Sequence, residues 1–147
     1  MTARPASAVL DASVCVASAL PDEEASALAG RLMRELQALD VRLFAPPVWR
    51  YEVAHAFRGA VLRRRIEAGD AWYALSRLLQ LPLEVVELAP DDWEIAWHLA
   101  LSRHIGAYDA SYLALAYRLE CQCITTDHHL VNAASSTGLV RWIGDFS

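Results

Sequence analysis

Ala8-Val9-Leu10-Asp11-Ala12-Ser13 places a short apolar run, a carboxylate at its end and the small residues of a helix start within six positions. The same order recurs near the other end of the chain, where Cys121 to Thr125 reads as a strand, Asp127 follows it and His128 to Ala134 reads as a short helix. A strand that ends in an acid and passes at once into a helix is the start of a crossover unit. Two such units, far apart in sequence, make the reading of everything between them decisive.

Working outward, Ser13 to Leu20 reads as a short helical stretch closed by Pro21. Asp22 to Leu39 carries acidic residues first and then Ala25, Leu28, Leu32, Leu36 and Leu39 at helical spacing, which predicts an amphipathic helix. Val41 to Ala45 follows as a strand. Pro46-Pro47 opens a helix that runs past Glu52, Ala56 and Ala60 to Arg63-Arg64-Arg65. A further helix covers about Glu67 to Leu81, and Leu83 to Leu88 is a strand by its branched content. Pro90-Asp91-Asp92 starts a helix through Trp93, Trp97 and Leu101, Gly106 breaks it, and Tyr108 to Leu119 is helical and apolar nearly all round. Leu139 to Trp142 is a last short strand. Strands alternating with helices predict an α/β fold with a mainly parallel sheet covered on both faces. Trp93 and Trp97, one helical turn apart, are expected in the core, with an exposed base-stacking platform as the alternative.

The chain has 147 residues, 55% of them hydrophobic, enough for one domain spanning 1–147 with a core that needs no disulfide or structural metal. The net charge is −5, so no global positive field draws the protein onto nucleic acid. All 13 basic residues are Arg. The absence of Lys excludes a P-loop and Schiff-base chemistry, and with them the receiver-domain and haloacid-dehalogenase-like phosphotransfer sites that use a Lys. Cys15, Cys121 and Cys123 lack zinc-site spacing and read as small buried residues of a reducing compartment. Asp11 and Ser13 interrupt the apolar stretch that follows Arg4, which argues against a signal peptide. No run is long enough to span a bilayer. The expected location is the cytoplasm, with no membrane partner.

In open α/β sheets the functional crevice lies beyond the carboxyl ends of the strands. Asp11 and Asp127 stand there, either as simple N-caps or as converging acids. Glu52 falls mid-helix on the small apolar stripe Val48, Ala56, Ala60, which is expected to face the core; buried alone it needs a partner, unless Arg50 or Arg58 pairs with it at the surface. Asp109 opens the most apolar helix, as a cap or as a fourth acid. Carboxylates gathered without Lys or a Cys–His set are the ligand type of Mg²⁺ or Mn²⁺, and such ions serve in-line phosphodiester hydrolysis.

Leu10-Asp11-Ala12-Ser13, Pro46 ahead of Tyr51-Glu52-Val53-Ala54, Tyr108-Asp109-Ala110-Ser111-Tyr112-Leu113-Ala114-Leu115-Ala116, and Thr125-Thr126-Asp127 before a short helix together resemble the ordered motifs of PIN-domain ribonucleases of the VapC toxin type. The resemblance spans essentially the whole chain. It implies a three-layer α/β/α fold with sheet order 3-2-1-4-5. It also implies a catalytic and Mg²⁺-binding set of Asp11, Glu52, Asp109 and Asp127, with Ser13 and Thr125 in support. By the same resemblance the protein is a homodimer that cuts RNA to leave a 5′-phosphate and is neutralised by a small antitoxin protein. Many members carry Asn where His55 stands; His55, three residues after Glu52, is expected to serve as a supporting hydrogen-bonding group. His128-His129 replace a frequent basic residue and read as ordinary surface histidines. Glu52-x-x-His55 also matches half of a di-iron site, but no second copy exists. Arg63-Arg64-Arg65 reads as a solvated helix end, with phosphate contact as the alternative. The competing reading of function is an interaction module on the same fold with little turnover. The loss of one acid would favour it, and all four are present.

Overall fold

A computed structural model describes residues 5–146. Arg4 and the outermost residues of the expected 1–147 domain lie outside the described residues. Twelve main elements follow in order: β1 (Ser7–Leu10), α1 (Ala12–Ala19), α2 (Ser26–Ala38), β2 (Arg42–Ala45), α3 (Val48–Leu62), α4 (Ala68–Leu79), β3 (Leu83–Val85), α5 (Pro90–Arg103), α6 (Ala107–Arg118), β4 (Gln122–Thr125), α7 (His128–Ala134) and β5 (Val140–Trp142). Short 3₁₀ turns at Ser135–Thr137 and Ile143–Phe146 flank β5.

The five strands form one sheet in the order β3-β2-β1-β4-β5, and every neighbouring pair is parallel. This is the three-layer α/β/α arrangement expected from the motifs. Successive strand residues point to opposite faces, so the consecutive burial of Ala8, Val9 and Leu10 in β1 and of Cys123, Ile124 and Thr125 in β4 means that helices cover both faces. α6 lies against β1 and β4, and its run Ala110 to Ala116 is buried without interruption. Two of the three cysteines are buried as expected, Cys15 and Cys123, whereas Cys121 is half-buried; burial pushes the Cys15 thiol up to about 12, leaving it protonated and inert.

Three expectations are corrected. The helix expected from Asp22 begins at Ser26, because Asp22 and Glu23 are held in the preceding turn by Arg65, whose guanidinium donates to both carboxylates at 2.6–2.9 Å. Arg63, Arg64 and Arg65 are all exposed at this helix end, as expected, and Arg65 acts there as a clamp as well. The strand expected through Leu88 stops at Val85, since β3 is an edge strand paired only with β2. Trp93 and Trp97 are 52% and 63% exposed and not in the core. The inner face of α5 is formed by Asp92 and Ala96 with Ile95, Leu99 and Ala100, so the Trp stripe turns about 100° away from it, the angular step of one helical residue.

Asp92 explains how a carboxylate comes to lie on that inner face. Its Oδ2 accepts the Ala89 N–H at 2.7 Å, supplying half of a capping box, and stands 3.3 Å from the Arg118 Nε of α6. Asp92→Ala removes the cap and the α5–α6 tie together. The expected loss is about 1–2 kcal/mol, read as a fall of roughly 3–8 °C in the thermal midpoint by circular dichroism.

Candidate active site

β2 and β3 lie on one side of β1, and β4 and β5 lie on the other. The crossover direction therefore reverses between β1 and β4, which opens a crevice beyond their carboxyl ends. Asp11 ends β1, and its backbone N–H donates to the Ile124 carbonyl of β4 at 3.0 Å. Although Asp11 occupies the N-cap position of α1, its side chain does not cap the helix. Its Oδ2 instead accepts two hydroxyl hydrogen bonds, from Ser13 Oγ at 2.6 Å and from Thr125 Oγ1 at 2.7 Å. Each hydroxyl in turn accepts a backbone N–H from the β4–α7 loop: Thr126 donates to Ser13 at 3.1 Å and Asp127 donates to Thr125 at 3.0 Å. Two N–H to O–H relays thus converge on one carboxylate oxygen, and each polarises the next donor. Ser13 and Thr125 thus hold Asp11 in place.

Asp127 is the N-cap of α7, its Oδ1 accepting from His129 at 2.8 Å and Leu130 at 3.3 Å. Capping and membership of the acidic crevice are therefore compatible, because one oxygen caps while the charge still acts on Asp11 and Asp109. Glu52 is not on the core face of α3, which is formed by Trp49, Val53, Phe57 and Ala60; its own stripe of Val48 and Ala56 is half-buried, and Ala56 lines the crevice with it. Its partner is Tyr112, whose hydroxyl donates to Oε1 at 2.7 Å. No described Arg takes that place. Asp109 does not cap α6.

Burial is the largest force on each of three acids. Asp11 is raised by desolvation and by Asp127, against the opposing pull of its two hydroxyl donors. Glu52 is raised by desolvation and by Asp11 and Asp109, with Tyr112 opposing. Asp109 is pushed up to about 6 by desolvation and by Asp11 and Asp127, with only His129 acting the other way. These acids feel one another across the crevice, and no described Arg neutralises them. Their donor set, carboxylates with two hydroxyls, fits a hard divalent cation. The side chains do not close on a single point: among the described residues no three His, Cys, Asp or Glu form a closed metal-ligand group.

A family model described as PIN domain matches residues 8–135, which runs from β1 through α7. The chain belongs to the PIN domain family. Two curated relatives, VapC ribonuclease Mb0985 of Mycobacterium bovis and ribonuclease VapC9 of Mycobacterium tuberculosis, are each 37% identical over 125 residues, covering 83% of this chain and 87% of theirs. This PIN domain therefore groups with the VapC ribonucleases. Solved structures share its fold at lower identity. PAE2754 of Pyrobaculum aerophilum superposes with TM-score 0.72 at 20% identity, over 95% of this chain and 85% of that one. VapC20 of Mycobacterium tuberculosis, described as a sarcin-ricin loop cleaving toxin, gives 0.61 at 21% identity, over 90% and 96%. A toxin-antitoxin complex from Klebsiella pneumoniae gives 0.58 at 18% identity, over 91% and 95%.

Sequence reading missed Tyr112 and Glu23. Tyr112 had a signal: it is the one hydroxyl-bearing aromatic in the apolar run Ala110 to Ala116, one turn after Asp109, and a fully buried Tyr seeks an acceptor. Glu23 had none, because only the Arg65 clamp brings it beside Glu52 and Ser13 at the crevice wall. His55 is exposed and its side chain makes no hydrogen bond to a described residue.

The raised Asp109 carboxyl sets a pH dependence for the metal-free protein. A carboxyl that binds its proton more tightly when folded favours the folded state fully below about pH 3.8, and this contribution is lost as pH rises through about 6. Asp109→Asn should therefore raise the thermal midpoint in EDTA at pH 7.5 by about 2–4 °C, allowing for partial solvent screening, and by much less at pH 4. Differential scanning calorimetry at the two pH values checks the sign.

Proposed function

We propose that this VapC-type PIN domain is an Mg²⁺- or Mn²⁺-dependent endoribonuclease, the toxin of a toxin–antitoxin pair, with Asp11, Glu52, Asp109 and Asp127 as its catalytic and metal-holding set. The observation that carries this reading is a crevice where burial and neighbouring acids raise the proton affinity of Asp11, Glu52 and Asp109 with no described Arg to balance them. A divalent cation held there would relieve that repulsion, polarise a phosphodiester and lower the pKa of an attacking water. The chain's own part is to position. Ser13 and Thr125 leave Asp11 one orientation, Tyr112 fixes Glu52 through Oε1, and the α7 cap fixes Asp127 through Oδ1. Asp109, half-buried at the start of α6, is the acid with most freedom to adjust. Water adds its oxygen to phosphorus, the bond to the 3′-oxygen breaks, and the products carry a 5′-phosphate and a 3′-hydroxyl. The ribose 2′-hydroxyl takes no part.

RNA cleavage by the purified protein should require Mg²⁺ or Mn²⁺, stop in EDTA and rise with pH as the acids and the water deprotonate. Asp109→Ala should abolish it with an unchanged circular dichroism spectrum. His55→Asn should retain most activity, because His55 is exposed and away from the hydroxyl relays. A gel assay of an RNA pool with end-group analysis decides this: cyclic phosphate ends or EDTA-resistant cleavage refute the mechanism, and cleavage of no RNA favours the interaction-module reading.

The partner side of the proposal is a homodimer bound by a small antitoxin protein. It rests on exposed apolar rings, Trp93 and Trp97 on α5 and Trp72 and Tyr73 on α4, beyond what one small domain leaves in water without use. The toxin–antitoxin complex among the structural neighbours supports it. No described helix is long and apolar enough to cross a membrane. Light scattering at micromolar concentration should report a dimer or a co-purifying small protein; a bare monomer counts against both.

A further inference from the structure

Beside the acidic crevice lies a second recess of ≈ 330 Å³, within the range of small-ligand pockets (about 300–1,000 Å³), which the proposed chemistry leaves unused. It shares Glu23 and Thr126 with the crevice, so the two are continuous. One wall is aromatic. His128 and Trp142 stand with ring centroids 4.8 Å apart at 40°, and the indole rests on Gly144 so closely that a Cβ there would collide with the ring. Glu23 and Glu24 also line the recess, with Glu23 fixed through Oε1 by Arg65. Trp142 pairs in register with Thr125, the residue that holds Asp11, so the aromatic wall begins one strand spacing, about 4.8 Å, from Thr125 and two strand spacings from Asp11.

Resting on the ribonuclease reading above, we propose that this recess binds a nucleobase next to the scissile phosphate, and that it prefers guanine. Two carboxylates and no described Arg line it, so it repels phosphate and suits a neutral, flat group. The His128–Trp142 wall offers a stacking surface, the usual way a protein holds an unpaired base. A carboxylate accepts hydrogen bonds only, up to about four of them; the bond from Arg65 leaves Glu23 with spare capacity. Guanine presents two adjacent donors, N1–H and the N2 amino group, to such an acceptor. Uracil presents one donor between two carbonyl oxygens that the carboxylate repels.

The test has two arms, both run on the full-length protein. In the first, cleavage sites in a random-sequence RNA pool are mapped with Mg²⁺ for wild type, His128→Ala, Trp142→Leu and Glu23→Gln. Wild type should show guanine enriched at one position beside the cut. His128→Ala and Trp142→Leu should lower kcat/KM on such sites about ten-fold, and Glu23→Gln should narrow the preference for guanine over inosine, which lacks the N2 amino group. Because Trp142 also packs on Gly144, the exposed His128 carries the test if Trp142→Leu unfolds. In the second arm, anisotropy of labelled hexanucleotides in Ca²⁺ reads binding without turnover. Cleavage with an unchanged site preference in every variant overturns the base recess and leaves the nuclease standing. Guanine-selective binding that His128→Ala loses, with no cleavage in any RNA, keeps the recess and overturns the nuclease. Neither cleavage nor base-selective binding overturns both.

Discussion

One buried oxygen organises this molecule. Asp11 Oδ2 receives hydroxyl donors from the start of α1 and from the end of β4, and each donor is itself bonded by a backbone N–H of the β4–α7 loop. A carboxyl group with almost no exposure is tolerable only when hydrogen bonds replace its water. Here the replacement comes from two segments more than a hundred residues apart, so the same bonds that solvate Asp11 also join the two halves of the sheet at its switch point. The register of β1 on β4 then fixes where Asp127 and Thr125 stand.

That solution leaves a charge problem unsolved. The hydroxyls supply dipoles and no positive charge, and desolvation raises Asp11, Glu52 and Asp109 together. A protein selected for stability alone would place an Arg in the crevice, as it does elsewhere: Arg65 clamps Asp22 and Glu23, and Arg118 meets Asp92. Arginine pairs the acids around the site, while the crevice itself has none among the described residues. Concentrated strain of this kind, with local rules broken at one place and kept around it, is characteristic of functional sites.

The outer helices follow the same division. α6 is buried through seven consecutive residues because it lies between the sheet and α5, whereas α5 turns only a narrow stripe inward. Large rings on the outside of α4 and α5 are therefore a property of the surface, and the aromatic pair His128–Trp142 near the crevice is distinct from them.

Much of this was legible in the chain. Apolar runs ending in Asp11 and before Asp127, helices between them and a hydrophobic β1 determine a parallel sheet with acids at its carboxyl edge, because period and end signals are local properties. The four acids are singled out as one set, with Ser13 and Thr125 beside Asp11, only through the resemblance of their motifs to a family, since no local signal ties residues that far apart together. Which stripe of a helix faces inward was not legible. Trp93 and Trp97 and the stripe of Glu52 each lie about one residue's rotation from the inner face, an angle set by what α5 and α3 pack against. Sequence likewise left open whether each acid serves as a cap, whereas in the fold Asp127 caps α7 and Asp11 and Asp109 cap nothing. The Tyr112–Glu52 bond, the Arg65 clamp and the recess behind Thr126 exist only in three dimensions, because each joins side chains whose separation along the chain carries no signal of their contact.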